Sequence, residues 1–289
     1  MGTILALAAA LAYGSADFLG GAASRRARPV AVLAVTAPAG AGVVLVSALL
    51  GSAAGIGGPG AGGMSGLAWG AAAGVAGAAG LIMFYAGFAT APMSVVAPVS
   101  ALVATLLPLG VAVTQGERPG PSVIAGGLIC LGAVVLVSLE RGAGSGRPAA
   151  DRLRGLGYGV VSGVFFGLFF LFFRSAGASA VLWPVAVARL AGMAVAFGAC
   201  LLTRTRPAWS GAPRGVLVMA LASGAVDAAA NVCYVLATRL GLFGIAVVIT
   251  SLYPGVTVLL ARLVLGERMR WVQRAGLVLA GVGLVLVTA

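Results

Sequence analysis

The sequence predicts an all-α polytopic membrane protein of ten transmembrane helices in two inverted five-helix repeats. Three observations predict it. The 289 residues are 61% hydrophobic and only 8% charged, whereas a soluble domain carries about a quarter charged residues. The apolar runs leave room for about ten spans of roughly 20 residues each with short loops and little else. The tripeptide Gly116-Glu117-Arg118 recurs as Gly266-Glu267-Arg268, each time after a long apolar helix and before a short one.

The first half reads as helices over 3–22, 29–50, 65–88, 91–114 and 121–138. The opening run has no basic segment before it and stays apolar to about Ala23, so it reads as a span rather than a signal peptide. A polar stretch from Glu140 through Asp151-Arg152 divides the chain. The second half reads as helices over 154–174, 179–202, 214–237, 241–264 and 271–288. The repeats are therefore 1–139 and 154–289, joined by a connecting loop over 140–153. Their tails also match: Ala125-Gly126 with Ala275-Gly276, and Val135-Leu136-Val137 with Val285-Leu286-Val287. An odd number of helices per half reverses the second half in the membrane. Inverted repeats place a substrate site at their interface, near the midplane.

Composition removes several function classes. The chain has no His, and all of its basic residues are Arg. Serine–histidine catalysis and histidine-ligated metal sites are thereby excluded. Cys130, Cys200 and Cys233 are odd in number and lie in apolar segments, so they form neither a disulfide framework nor a metal cluster. No P-loop is present, and the acids do not sit in the motif of an intramembrane aspartyl protease. Neither a cofactor nor an enzymatic activity is expected. The net charge of +12 reads as topology and lipid headgroups rather than nucleic-acid binding. The Arg-, Ala-, Gly- and Val-rich usage fits a multi-pass protein of a bacterial inner membrane.

Polar groups inside the spans mark the candidate site. At the centre of a span an Asp costs about 2.5–3.5 kcal/mol, so it needs a partner, a wet cavity or a function. Asp17 shares a helix face with Tyr13 and Gly20, in the segment that also holds Ser15. In helix 8, Gly224, Asp227, Asn231 and Tyr234 share one face, and Asp227 with Asn231 is the preferred binding position. Arg189 in helix 7 is the natural counter-charge: it pairs with Asp17 or Asp227 or holds a substrate carboxylate, and it is the first candidate partner of Asp17. Snorkelling to the interface is the structural alternative. Tyr85 ends the third helix as Tyr234 ends the eighth. Pro98, Thr105 and Pro108 in helix 4, and Thr250, Ser251 and Pro254 in helix 9, are candidates for kinking or gating; Tyr253 and Thr257 lie beside the latter. The phenylalanines of helix 6, Phe165 to Phe173, wrap its circumference and read as lipid-facing. Trp69, Trp183, Trp209 and Trp271 read as interfacial anchors.

With ten helices in two halves, Tyr13-Gly14-Ser15 in helix 1 and Gly-Glu after helices 4 and 9, the chain resembles the EamA-type transporters of the drug/metabolite transporter superfamily over essentially its whole length. Arg189 is similar to an arginine often seen early in the second helix of each half. The resemblance implies a basket of ten helices around a central cavity, with helices 5 and 10 away from it. It also implies export of amino acids, other metabolites or toxic compounds. The chain departs from the family in having no first-half counterpart of Arg189 and in carrying Asp17.

The functional expectation is a secondary transporter that exports a small metabolite, an amino acid or a similar polar or amphipathic compound, by alternating access. Export comes from the resemblance alone. The alternatives are uptake of a sugar or nucleoside and, in another class, a non-transporting membrane structural protein. The expected partners are a small-molecule substrate and the lipid bilayer; proton coupling through Asp17 or Asp227 is a hypothesis, and monomer and homodimer stay open. Arginine places the chain in the membrane. Loops 1–2, 5–6, 7–8 and 9–10 hold Arg25, Arg26 and Arg28; Arg141, Arg147, Arg152 and Arg154; Arg204, Arg206 and Arg214; and Arg268, Arg270 and Arg274. The other side holds Arg118, Arg174 and Arg239. Arginine-rich loops stay cytoplasmic, which puts both termini outside, opposite to the family's usual arrangement. Alkaline phosphatase fused after Ala289 is expected to be active, and a reporter that works only in the cytoplasm to be silent; the reverse pattern would refute this orientation.

Overall fold

The structure, a computed structural model, describes residues 2–53, 63–114, 120–138, 149–176, 182–240, 250, 253–266 and 271–288. Ten α-helices run through these residues: α1 (Gly2–Ser24), α2 (Pro29–Ala53), α3 (Gly63–Thr90), α4 (Met93–Thr114), α5 (Pro121–Ser138), α6 (Ala149–Ser175), α7 (Leu182–Leu202), α8 (Arg214–Leu240), α9 (Tyr253–Leu265) and α10 (Trp271–Thr288). A short 3₁₀ turn, Ala208–Ser210, precedes α8. The protein is an all-α polytopic membrane protein, and six of the described helices are long and apolar enough to cross a bilayer. The first Gly-Glu-Arg tripeptide, Glu267 and Arg268 of the second, most of the connecting loop and the start of the expected ninth helix lie outside the described residues.

The start of α6 differs from expectation. Helix α6 begins at Ala149, inside the segment assigned to the loop. Asp151 sits in its first turn, where a carboxylate favours the positive end of the helix dipole, and approaches Arg154 at 3.8 Å.

The helices pack mainly across the two halves. The pairs α1–α8 and α3–α6 make broad contacts, as do α2–α8 and α3–α7, α4–α6 and α1–α9. Exchanging α1–α5 with α6–α10 turns each of these pairs into its counterpart. The pairs α2–α7, α4–α9 and α5–α10 map onto themselves.

Glycine makes the crossings close. A Cβ at Gly224 would run into the backbone of Thr36 on α2, and one at Gly74 into the backbone of Ala188 on α7. At Gly14 it would lie 2.6 Å from the carbonyl oxygen of Tyr253, and at Gly163 2.6 Å from that of Ser100. In a bilayer, association depends on such backbone approach and on hydrogen bonds between helices. Buried Ser162 supplies one, donating to Ser100 Oγ at 2.9 Å.

The loops fall at two ends. At one end Arg25 donates to the Phe88 carbonyl at 3.2 Å and Arg28 to Thr205 Oγ1 at 3.2 Å. At the other, Trp183 Nε1 donates to Ser52 Oγ at 2.9 Å. The largest apolar cluster lies towards the arginine-bearing end and includes Phe18, Val32, Val35, Phe84, Phe88 and Met93.

The phenylalanines of α6 do not all face lipid. Phe166 meets Phe84 edge-on at 5.6 Å, Phe172 lies 5.6 Å from Trp69, and Phe169 fits against Gly77. The bare backbone of α3 at Gly77 and Gly80 makes room for these rings. Phe170, 54% exposed, keeps the lipid-facing position.

Gly224→Val is expected to lower stability by about 1–3 kcal/mol through overpacking against α2. Gly281→Val, where nothing lies within 4 Å of the added carbon, is expected to stay within about 0.5 kcal/mol of wild type. Thermal unfolding of the purified chain in detergent measures both.

Candidate functional site

The α1–α8 crossing builds the site, with α2, α3, α7 and α9 around it. Arg189 of α7 forms an ion pair with Asp227 of α8, Nη1 to Oδ2 at 2.5 Å. The side chains keep 21% and 27% of their surface exposed although both lie well inside their helices. Gly40 of α2 faces the pair: a Cβ there would lie 3.1 Å from the Gly224 carbonyl oxygen and 3.7 Å from Arg189 Nη1. A larger residue would crowd the guanidinium.

Of the two acids expected as partners, Arg189 thus meets Asp227 and not Asp17. The cause is helix adjacency: α2 packs on both α7 and α8 and holds those two side chains on a common side. Asp17 lies half-buried on α1 within electrostatic reach of Asp227. Among the described residues no hydrogen bond or ion pair is made by its carboxylate.

Tyrosines surround these charges. Tyr13 lies near Asp227, Arg189, Tyr234 and Tyr253, and its ring centroid is 6.0 Å from that of Tyr253. Tyr13, Tyr234 and Tyr253 are each half-buried. Tyr85 has a different position. It is 3% exposed, its ring covers Gly20, and its hydroxyl lies 3.3 Å from Ser223 Oγ. Ser223 spends its proton on the Ala16 carbonyl at 2.8 Å, so Tyr85 is the donor to Ser223. This chain of two bonds joins α3, α8 and α1 directly behind Asp17.

Other expected residues separate from the cluster. Asn231 donates to the backbone carbonyl of Asp227 at 2.8 Å, so part of its amide is used by its own helix. Ser15 is two residues from both Tyr13 and Asp17, which turns it to the other side of α1. Thr257 donates to the Gly14 carbonyl at 3.2 Å, stitching α9 to α1, and Thr250, ahead of α9, donates to the Ala6 carbonyl at 3.5 Å. Pro254 is buried, and Pro98 and Pro108 lie within continuous α4. Ser251 and the side chain of Thr105 lie outside the described residues.

Ser223 and Gly40 were missed by sequence reasoning. Ser223 had a signal, since it precedes Asp227 by four residues and shares its helix face. Gly40 had none, because its role depends on which helix packs opposite.

Residues 153–289, spanning nearly all of α6 and the helices after it, match the EamA-like transporter family. The second half of the chain is therefore that of an EamA-type transporter of the drug/metabolite transporter superfamily. Members of that family are membrane transporters. A solved crystal structure aligns with this chain over 99% of its length and 95% of the other chain, with TM-score 0.66 and 21% identity, which shows a shared fold. A search of curated proteins finds no match.

Removing one member of the ion pair leaves a charge bare in a low-dielectric setting, which costs about 3–5 kcal/mol when fully buried. Partial exposure reduces that figure here. Arg189→Gln or Asp227→Asn alone is expected to lower stability by about 2 kcal/mol, and the double variant to recover at least half of the loss. Additive single effects in thermal unfolding would mean that the pair is not coupled.

Proposed function

We propose that the protein is a secondary transporter that exports a small polar or amphipathic metabolite, an amino acid or similar compound, by alternating access. The observation that carries this reading is the charged and tyrosine-rich cluster at the α1–α8 crossing. It joins helices of both halves at mid-helix depth, and its ionised side chains are neither sealed in the core nor extended to an interface. Charged groups retained at this depth mark substrate or ion pathways.

The two halves act as inverted repeats, with residues 1–139 and 154–289 as the moving units. The exchange relation among the packed helix pairs supports this, since inverted repeats rock about a site at their interface. The apolar cluster around Phe88 supports a conformation closed towards the arginine-bearing end, which the arginine distribution assigns to the cytoplasm of a bacterial cell. In this scheme Asp17, Arg189 and Asp227 form the polar floor, Tyr13, Tyr234 and Tyr253 line it, and Tyr85 with Ser223 holds α3, α8 and α1 in register. Thr257 anchors α9 against α1, Thr250 ties the residue ahead of α9 to the same helix, and Pro98 and Pro108 provide bending points in α4. A proton gradient supplies the energy through the intramembrane acids.

Uptake and counterflow in proteoliposomes test the proposal across amino acids, sugars and cationic compounds, with and without a pH gradient. At least one compound is expected to show counterflow that Arg189→Gln reduces by about tenfold or more, the equivalent of 1.4 kcal/mol. Absence of counterflow for every compound would overturn it.

A further inference from the structure

The loop between α1 and α2 and the loop between α7 and α8 form a single surface at the arginine-bearing end. Arg28 Nη1 donates to Thr205 Oγ1 at 3.2 Å, and Cys200 Sγ donates to the Val30 carbonyl at 3.7 Å. The 3₁₀ turn packs on α2 and α8, with Ala208 buried in the largest apolar cluster. Arg28 is thereby set beside Thr205, which Arg204 and Arg206 flank in the chain. All three arginines are exposed. None of them forms an ion pair among the described residues. The sequence has no acid from 18 to 116 or from 152 to 226, so both loops are purely cationic.

Arg204 holds an unfavourable backbone conformation. Helix α7 ends in a Schellman motif, in which the Thr205 amide donates to the Cys200 carbonyl at 2.9 Å and the Arg204 amide to the Leu201 carbonyl at 3.2 Å. The motif puts Arg204 at φ 49°, in the left-handed region, alone among the described non-glycine residues. Glycine takes that conformation without steric cost and is the common residue there. Among the described residues the guanidinium bonds to no carbonyl of α7. The turn itself would be served better by glycine, so the use of the arginine lies in what its side chain meets outside the turn.

Apolar surface adjoins the charge. Leu201 and Leu202, in the last turn of α7, are 80% and 87% exposed. Trp209 is 49% exposed, and its ring centroid lies 5.9 Å from that of Phe197. Tryptophan at a helix end sits where headgroups meet acyl chains. A soluble anion would engage the arginines and leave the leucines bare. A phospholipid without net charge would leave the three positive charges unbalanced. An anionic phospholipid answers both, since guanidinium forks bind a phosphodiester and an acyl chain covers the leucines.

We propose that this surface binds one anionic phospholipid, with its phosphodiester on Arg28, Arg204 and Arg206 and an acyl chain along Leu201 and Leu202. Trp209 marks the level of the glycerol. Leu202 lies roughly 20 Å along α7 from Arg189, so the lipid site is separate from the ion pair and independent of the transport reading.

The test is native mass spectrometry and thermal unfolding of the full-length protein in neutral detergent. The ligands are dioleoyl phosphatidylglycerol, dioleoyl phosphatidylcholine, dihexanoyl phosphatidylglycerol and inorganic phosphate. Dioleoyl phosphatidylglycerol is expected to stay bound as one retained lipid and to raise the unfolding temperature by about 3 °C or more. Phosphatidylcholine and inorganic phosphate are expected to do neither, and the dihexanoyl lipid to bind at least about tenfold more weakly. Arg28→Gln, Arg204→Gly and Arg206→Gln are each expected to weaken binding about fivefold. Without lipid, Arg204→Gly is expected to unfold at the wild-type temperature or above it, which separates loss of binding from loss of fold. Arg154→Gln removes the same charge beside Asp151 and is expected to leave affinity within about twofold.

Weakening by Arg154→Gln equal to that of the three site variants would mean diffuse attraction to a positive surface and would overturn the site. Inorganic phosphate or phosphatidylcholine stabilising the protein as well as dioleoyl phosphatidylglycerol would overturn the choice of ligand. Unchanged affinity in Arg204→Gly would overturn the role assigned to Arg204.

Discussion

Lipid tails are as apolar as leucine, so burying apolar side chains against one another cannot by itself hold these helices together. Contact between backbones at small residues, reinforced by hydrogen bonds, takes its place. In this chain the closest such contacts all join the two halves: Gly14 to α9, Gly74 to α7, Gly163 to α4 and Gly224 to α2. The site is a consequence of that packing. Because α2 can approach α8 at Gly224 and face Arg189 at Gly40, the guanidinium of α7 reaches the carboxylate of α8. Elsewhere the same close approach serves apolar ends, as where Gly80 of α3 receives Phe166.

Most polar side chains in the spans are satisfied locally or tie one helix to another. Ser223 and Tyr85 bind three helices, Ser162 binds α6 to α4, and Thr257 binds α9 to α1. Asn231 bonds to its own helix. With these groups accounted for, the chemistry contracts to a neutralised pair, a remaining carboxylate and a set of half-buried tyrosines. Such a site has few permanent charges, and the protonation of one group removes its net charge.

The scaffold is more symmetric than its chemistry. The α1–α8 crossing and its counterpart α3–α6 use similar close packing. The first brings together Asp17, Asp227 and Ser223. The second brings together Phe84 and Phe166, stacked edge to face. If the halves rock as repeats, one crossing provides the polar site and the other an apolar bearing. Hydrocarbon surfaces can shift without breaking hydrogen bonds, whereas a buried ion pair needs a replacement partner whenever it opens.

Sequence by itself determined the class and the order of the helices, because hydropathy and helix-breaking residues act locally along the chain. It also drew attention to Asp17, Arg189, Asp227 and the tyrosines, since a charge or hydroxyl inside an apolar run is conspicuous without any neighbour. It did not determine which acid Arg189 meets, that Asn231 turns to its own backbone, or that Tyr85 works as a buried tie. Those outcomes depend on how each helix is rotated and which helix faces it. Small residues far apart in the chain decide both, through contacts such as Gly224 with Thr36, and no local pattern records them. Only the tertiary structure could separate the acid that is paired from the acid without a partner among the described residues.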